Sequence, residues 1–224
     1  MTFSIVARCQ HTGMFGIAIT SSPPAVAARC AHARAGVGAV ATQNVTDPRI
    51  GMRGLDLLSR DVPAKDALDQ LLSNDPTAAW RQVALVDRHD GVASFTGEAA
   101  LGRHAVAEGK GAVAAGNLLS NTGVPAQMLD AFEASGGDLG HRLLTALQAG
   151  VSFGGEEGPI HSAGLLLVRE VPWPVADLRV DWDETAPVSM LQQLWERYSP
   201  QLDDYVARAL NPGEAPRFGV PGDL

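Results

Sequence analysis

A threonine stands directly behind Met1 and opens the apolar run Thr2-Phe3-Ser4-Ile5-Val6-Ala7. A small residue behind an initiator methionine permits its removal. Thr2 would then carry a hydroxyl nucleophile and a free α-amine on one residue. That amine titrates near ~7.7–8.0, so it can act as the hydroxyl's own general base near neutral pH. The plain alternative is a chain start with no chemical role. Acyl transfer would also need donors for a developing oxyanion. Asn117, behind Gly116 at the end of a predicted strand, carries a suitable amide, or else it caps a turn. Ser21 and Ser22 end the strand expected to pair with the first, which places them near Thr2 or simply in a turn. Ser4 lies two residues on and so on the same strand face. Gln43 and Asn44 end another predicted strand and are candidates for binding polar groups of a substrate. Glu156, Glu157 and His161 form the densest titratable cluster, read as a substrate-recognition loop or a solvated acidic turn. Their spacing matches no strong ligand pattern, so no metal and no cofactor are expected. His11, His32, His89, His104 and His141 read as surface or turn residues.

The bulk composition bounds the partners. The chain has 224 residues, 46% hydrophobic and 19% charged, which suits one globular core. Its net charge of −8 comes without a basic cluster, which argues against nucleic acid and anionic membrane surfaces. No apolar run reaches the ~20 residues of a bilayer span, and the N-terminus lacks a charged region followed by an apolar stretch. A cytoplasmic protein acting on a small molecule is the expectation. Cys9 and Cys30 form no Cys-x-x-Cys pair and read as small core or strand-end residues.

These candidates must be positioned by the elements around them. Residues 2–9 and 15–21 read as a hairpin, and residues 36–42 as a third strand after a short Ala-rich segment. Two helices follow, one around Gly54–Leu58 and one from Asp61, with Pro63 near its first turn and Asn74-Asp75-Pro76 at its end. Arg81–Asp87 and Val92–Thr96 read as a second hairpin around Asp90-Gly91, and Gly111–Gly116 as a further strand. Helices are expected over Val124–Ala134 and Asp138–Ala149, the latter ending at Gly150. Strands at Ser162–Val168 and Ala176–Asp183 precede a long amphipathic helix, Ala186–Leu210, broken at Pro200. This order does not alternate β and α. It fits an α+β fold, a four-layer αββα sandwich of two antiparallel sheets flanked by helices, over residues 1–210 with an extended tail at 211–224. N-terminal nucleophile hydrolases use that architecture, with the nucleophile opening a central strand.

Several segments resemble one family. Met1–Arg8, Arg34–Gln43 and Gly51-x-x-Gly54-Leu55-x-Leu57-Leu58 are similar to the family labelled domain of unknown function 1028. So are Arg81-Gln82, Val86-Asp87, Thr96-Gly97, Gly116–Leu119, Arg142–Leu147 and Gly154-Gly155, which together span roughly residues 1–170. The family is placed by fold among the N-terminal nucleophile hydrolases, so the resemblance implies that fold. By analogy with that superfamily it implies that Ser21 or Ser22 orients the α-amine. One departure stands out. After Gly154-Gly155 the family usually continues with Asp, an Arg-containing turn and Gln-Ser-Ala-Ala, whereas this chain has Glu156-Glu157-Gly158-Pro159-Ile160-His161-Ser162-Ala163. Two acids replace a base, which favours a cationic or amine-bearing substrate group over a carboxylate.

The reading that results is an N-terminal nucleophile amidohydrolase of a small amide or related acyl substrate. A catalytically silent small-molecule binding protein on the same fold is the rival, and a metal-dependent hydrolase centred on His161 and Glu157 is a third reading. The apolar face of the C-terminal helix is expected to dock on its own core or on a second copy in a homodimer.

Overall fold

The computed structural model describes residues 1–73 and 75–218. In chain order the elements are β1 (Thr2–Arg8), β2 (Phe15–Ser21), α1 (Val26–Cys30), β3 (Ala31–Arg34), β4 (Gly38–Asn44), α2 (Pro48–Ser59) and α3 (Ala64–Leu72). Then come β5 (Arg81–Asp87), β6 (Val92–Thr96), β7 (Ala105–Gly109), β8 (Ala112–Asn117), α4 (Val124–Ala134) and α5 (Leu139–Ser152). The chain closes with β9 (Ser162–Val168), β10 (Ala176–Val180), α6 (Pro187–Tyr198) and α7 (Leu202–Leu210). The strands form two antiparallel sheets, a six-stranded one in the order β10-β9-β2-β1-β8-β7 and a four-stranded one in the order β3-β4-β5-β6. Among the described residues no helix is long and apolar enough to cross a membrane.

The period of two along each strand assigns the layers. On β1, Phe3, Ile5 and Ala7 face outward and pack with Met128, Phe132, Leu143 and Leu147 of α4 and α5, and with Leu191 and Trp195 of α6. Val6 faces inward and packs between the sheets with Ile17, Ile19, Ala39, Ala41, Ala84, Val86, Val113 and Ala115. Beyond the smaller sheet, Val40, Val83 and Leu85 meet Ile50, Leu55 and Leu58 of α2 and Leu68 and Leu71 of α3. The result is the expected αββα sandwich, with β1 central in its sheet.

Differences from the sequence reading have physical causes. The Ala-rich segment divides into the short helix α1 and the strand β3, and β7 was not foreseen. Both missed strands lie at sheet edges and are half-exposed, so neither carries an alternating pattern. His32, on β3, is half-buried against Gly51 of α2 rather than on the surface, and its burial lowers its pKa. α5 continues through Gly150 to Ser152, because Gly150 is a contact point and not a terminator. A Cβ there would stand 2.9 Å from both Met128 Cγ and Phe3 Cε2. The C-terminal helix breaks at Ser199–Gln201, where Pro200 lies, as expected. Its apolar residues Leu191, Trp195, Leu202 and Val206 are buried against the chain's own core, while Leu194 stays partly exposed. The start of the tail turns back on α7, with Arg208 donating to the carbonyls of Pro216 and Arg217. The expectation of an extended tail falls in part on residues 219–224, which lie outside the described residues, as does Asn74.

Gly150 locks Phe3, the residue next to Thr2, against the helix layer. Gly150→Val should therefore lower stability by about 1–3 kcal/mol through overpacking, read as a lower urea midpoint at unchanged m-value.

Candidate functional site

The inter-sheet layer changes character along its length. It is apolar from Phe15 to Ile19 and from Val113 to Ala115, then turns polar where β1 begins. At that end Thr2, Ser4, Ser21, Gln43, Gln82 and Asn117 are all buried. The register explains the convergence. Thr2 pairs with Asn117 across β1 and β8, Phe3 pairs with Thr20 so that Ser21 flanks Thr2, and Gln43 pairs with Gln82 across β4 and β5.

One hydrogen-bond network spans the two sheets. Gln82 Nε2 donates to the Gly116 carbonyl at 3.0 Å and to Thr96 Oγ1 at 3.0 Å. A carbonyl can only accept, so the Gln82 amide is fixed with its oxygen the other way. That oxygen accepts from Gln43 Nε2 at 2.7 Å and from Asn117 Nδ2 at 3.1 Å. Gln43 then turns its own oxygen to Ser4 Oγ, which donates at 2.8 Å. Among the described residues Asn117 Nδ2 makes this one side-chain bond, and its buried Oδ1 has no partner. Leu118 follows with φ at +51°, a left-handed backbone rarely adopted by a branched residue, which turns the chain sharply after Asn117.

Thr2 itself sits in a second cluster. Its Oγ1 lies 2.9 Å from Ser21 Oγ and 2.5 Å from the Met1 carbonyl, which Ser21 Oγ also reaches. Two hydroxyl hydrogens thus serve three short oxygen contacts, and both hydroxyls converge on a carbonyl. Ser21 is held by its own carbonyl, which accepts from the His161 backbone N–H at 2.9 Å. With Met1 in place Thr2 is only 6% exposed, so its hydroxyl is closed to any external substrate.

The remaining candidates separate. Asn44 adopts φ +72° and spends its amide on the backbone, donating to Trp80 O at 2.6 Å and accepting from Leu101 N at 3.1 Å. It braces a loop and is not placed among the site's side chains. Glu157 pairs with Arg103 at 2.5 Å near the surface, an arrangement worth at most about 1 kcal/mol. His161 stacks on Trp182 with ring centroids 4.3 Å apart, and its Nδ1 donates to Ser22 O at 3.0 Å. Glu157 and His161 therefore engage different partners. Glu156 alone of that cluster turns inward. It is 6% exposed, and neither carboxylate oxygen has a hydrogen-bond partner among the described residues, although Ser22 faces it. Burial raises its pKa to about 8, opposed chiefly by the attraction of the N-terminal ammonium.

The sequence offers Gln82 and Thr96 only as parts of family motifs and gives neither a role. The available signal was an uncharged polar residue on the inward parity of β5, two positions before Ala84. The family model for "Family of unknown function (DUF1028)" matches residues 2–191. The chain belongs to the DUF1028 family. A solved DUF1028 structure, protein SPO2555 from Silicibacter pomeroyi, superposes with a TM-score of 0.84 at 29% identity, covering 91% of this chain and 89% of that one. Anbu, the ancestral β-subunit, from Yersinia bercovieri aligns at a TM-score of 0.42 and 8% identity, covering 90% of this chain and 96% of that one. An Anbu mutant from Hyphomicrobium gives 0.41 at 11%, covering 92% and 99%. Likeness at that level supports no inference about activity. No curated protein matches the chain.

Two outcomes test this DUF1028 site. Gln82→Leu removes the shared acceptor of Gln43 and Asn117 and should destabilise the fold by about 2–4 kcal/mol in urea unfolding. Glu156 has a folded pKa above its ordinary value of 4.5, so the folded state binds the extra proton. Its contribution is complete below pH 4.5 and is lost as pH rises toward about 8. Stability measured by urea titration should fall across that window, and Glu156→Gln should flatten the fall.

Proposed function

We propose that this DUF1028 protein is an amidohydrolase of a small amide or related acyl substrate, with Thr2 as nucleophile once Met1 is removed. The observation that carries the reading is a buried hydroxyl at the first position of the central strand, inside the polar end of an otherwise apolar inter-sheet layer. Cleavage of the Met1-Thr2 bond would remove the carbonyl that occupies both hydroxyls and would leave an α-amine on the same residue.

The chemistry then follows the groups present. The Thr2 hydroxyl attacks the substrate carbonyl and passes its proton to its own α-amine. The oxyanion takes donors from Ser21 Oγ and from the second Nδ2 hydrogen of Asn117. Asn117 stands opposite Thr2 in the β1–β8 ladder, and its Oδ1, without a partner among the described residues, is the acceptor that would orient the α-amine. Collapse breaks the C–N bond, and the leaving amine takes the proton back. Water attacks the resulting Thr2 ester with the amine again as base, releasing the acid. Ser4 and Gln43 act at one remove by fixing Gln82 and through it Asn117.

One observation favours a second reading, a silent binding protein. A chain that keeps Met1 has no free amine on Thr2 and a nucleophile that is shut in.

The intact mass of the purified chain decides which form exists. In a Met1-free preparation Thr2→Ala should abolish turnover and acyl-adduct formation with native stability, while Thr2→Ser retains both. Activity surviving in Thr2→Ala would overturn the mechanism.

A further inference from the structure

The three buried side-chain oxygens without a hydrogen-bond partner among the described residues are Asn117 Oδ1 and the two oxygens of Glu156. They belong to one corner of the molecule. Glu156 bridges to Leu119, two residues past Asn117, while Ser120 N donates to Gly155 O at 3.0 Å and Glu157 N donates to Leu118 O at 2.9 Å. Unpartnered acceptors at one end of a site call for a ligand rich in N–H. Glu156 also lines a cavity of about 210 Å³ with Phe3, Gly158, Ile160 and Glu184, and its lining includes two carboxylates but no Lys or Arg.

Met1 shows how such a ligand fits. Its carbonyl is taken by the Thr2 and Ser21 hydroxyls, and its α-ammonium lies within electrostatic reach of Glu156. Its thioether rests on Gly158, where a Cβ would stand 3.1 Å from Met1 Cε and 3.5 Å from Sδ. The carbonyl and the side chain of one aminoacyl unit thus each have a receptor, and Glu156 lines the same cavity as Gly158, on which that side chain rests.

We propose that the space left by Met1 is the acyl subsite for an α-aminoacyl group, so that the substrates are amides of α-amino acids with an unblocked amine. The substrate ammonium meets Glu156, its carbonyl meets Thr2 and Ser21, and an unbranched apolar side chain lies on Gly158. This rests on the Thr2 reading above. For such an amide the bond formed is Thr2 Oγ to the acyl carbon and the bond broken is the amide C–N. Ammonia or an amine leaves with the proton, and water then returns the free amino acid.

The test uses the full chain beginning at Thr2, released from an N-terminal fusion, and three probes: L-methioninamide, N-acetyl-L-methioninamide and 4-(methylthio)butanamide. Binding is read by thermal shift over a concentration series and turnover by proton NMR. L-Methioninamide should bind about 10- to 100-fold more tightly than either analogue lacking the free amine, as loss of the amine's hydrogen bond to the Glu156 carboxyl predicts. Glu156→Gln should erase that preference. With glycinamide as a fourth probe, Gly158→Val should weaken methioninamide binding more than glycinamide binding. Equal binding of the three probes, no binding of methioninamide, or a preference that survives Glu156→Gln overturns the subsite. Selective binding without turnover upholds the subsite and overturns the hydrolase. Turnover of all three amides alike does the reverse.

Discussion

The buried Gly116 carbonyl takes a donor from the facing sheet at 3.0 Å. Gln82 Nε2 supplies that donor, and the consequence runs through every amide at this end of the molecule. With its nitrogen committed, Gln82 offers only its oxygen to Gln43 and Asn117, so each of those must present nitrogen to it. Gln43 therefore shows its oxygen to Ser4, and Asn117 turns its oxygen away from Gln82. The orientation of a side chain on β8 is thus set by a residue on the other sheet. This cross-sheet clamp also makes the polar end of the layer as ordered as the apolar end, since each network amide has one permitted orientation.

Much of this was legible because strand parity is a strict rule. Once β1 is read as an alternating strand, Thr2, Ser4 and Val6 must share a face, and the hairpin to β2 must bring Ser21 beside Thr2. Asn117 was legible for a different reason: Gly116 before it marks close approach, and Phe3 Cβ and Leu119 indeed crowd that position. Gln82 was not legible as a functional residue, since its role depends on which sheet faces which, and no local pattern encodes that. Asn44 was misplaced for the converse reason. It shares a strand end with Gln43, but a left-handed backbone turns it to the opposite task of bracing a loop. Glu156 and Glu157 show the same limit at higher resolution. Adjacent acids in sequence read as one cluster, yet the bridge to Leu119 sends one side chain inward and leaves the next to pair with Arg103 at the surface.

Native folds bury few polar groups without partners, and the exceptions concentrate where function needs them. Here Asn117, which precedes Leu118, and Glu156, which bridges to Leu119, carry side-chain oxygens without partners among the described residues, and Leu118 is a branched residue held in a left-handed backbone. The rest of the chain over-determines this arrangement. Leu119 is fully buried, the 118–120 segment is bonded to Arg103, Gly155 and Glu157, and the two positive-φ glycines at 154 and 155 admit the close pass beside Ser120 and Phe3. On the proposed reading, strain and desolvation held in place this way would constitute preorganisation, since the acceptors are fixed by the fold itself.

Met1 then acquires a double meaning. Its carbonyl satisfies two hydroxyls that would otherwise compete for each other, and its ammonium tempers a carboxyl that burial drives toward neutrality. While it remains, the hydroxyl at Thr2 is closed in and the α-amine belongs to the wrong residue. Its departure would at once create the base, open the nucleophile and empty a space whose contacts already match an aminoacyl unit. On the proposed mechanism a single peptide bond separates a closed polar cluster from an acyl-transfer site, and the groups that hold the methionine are the groups proposed to hold what replaces it.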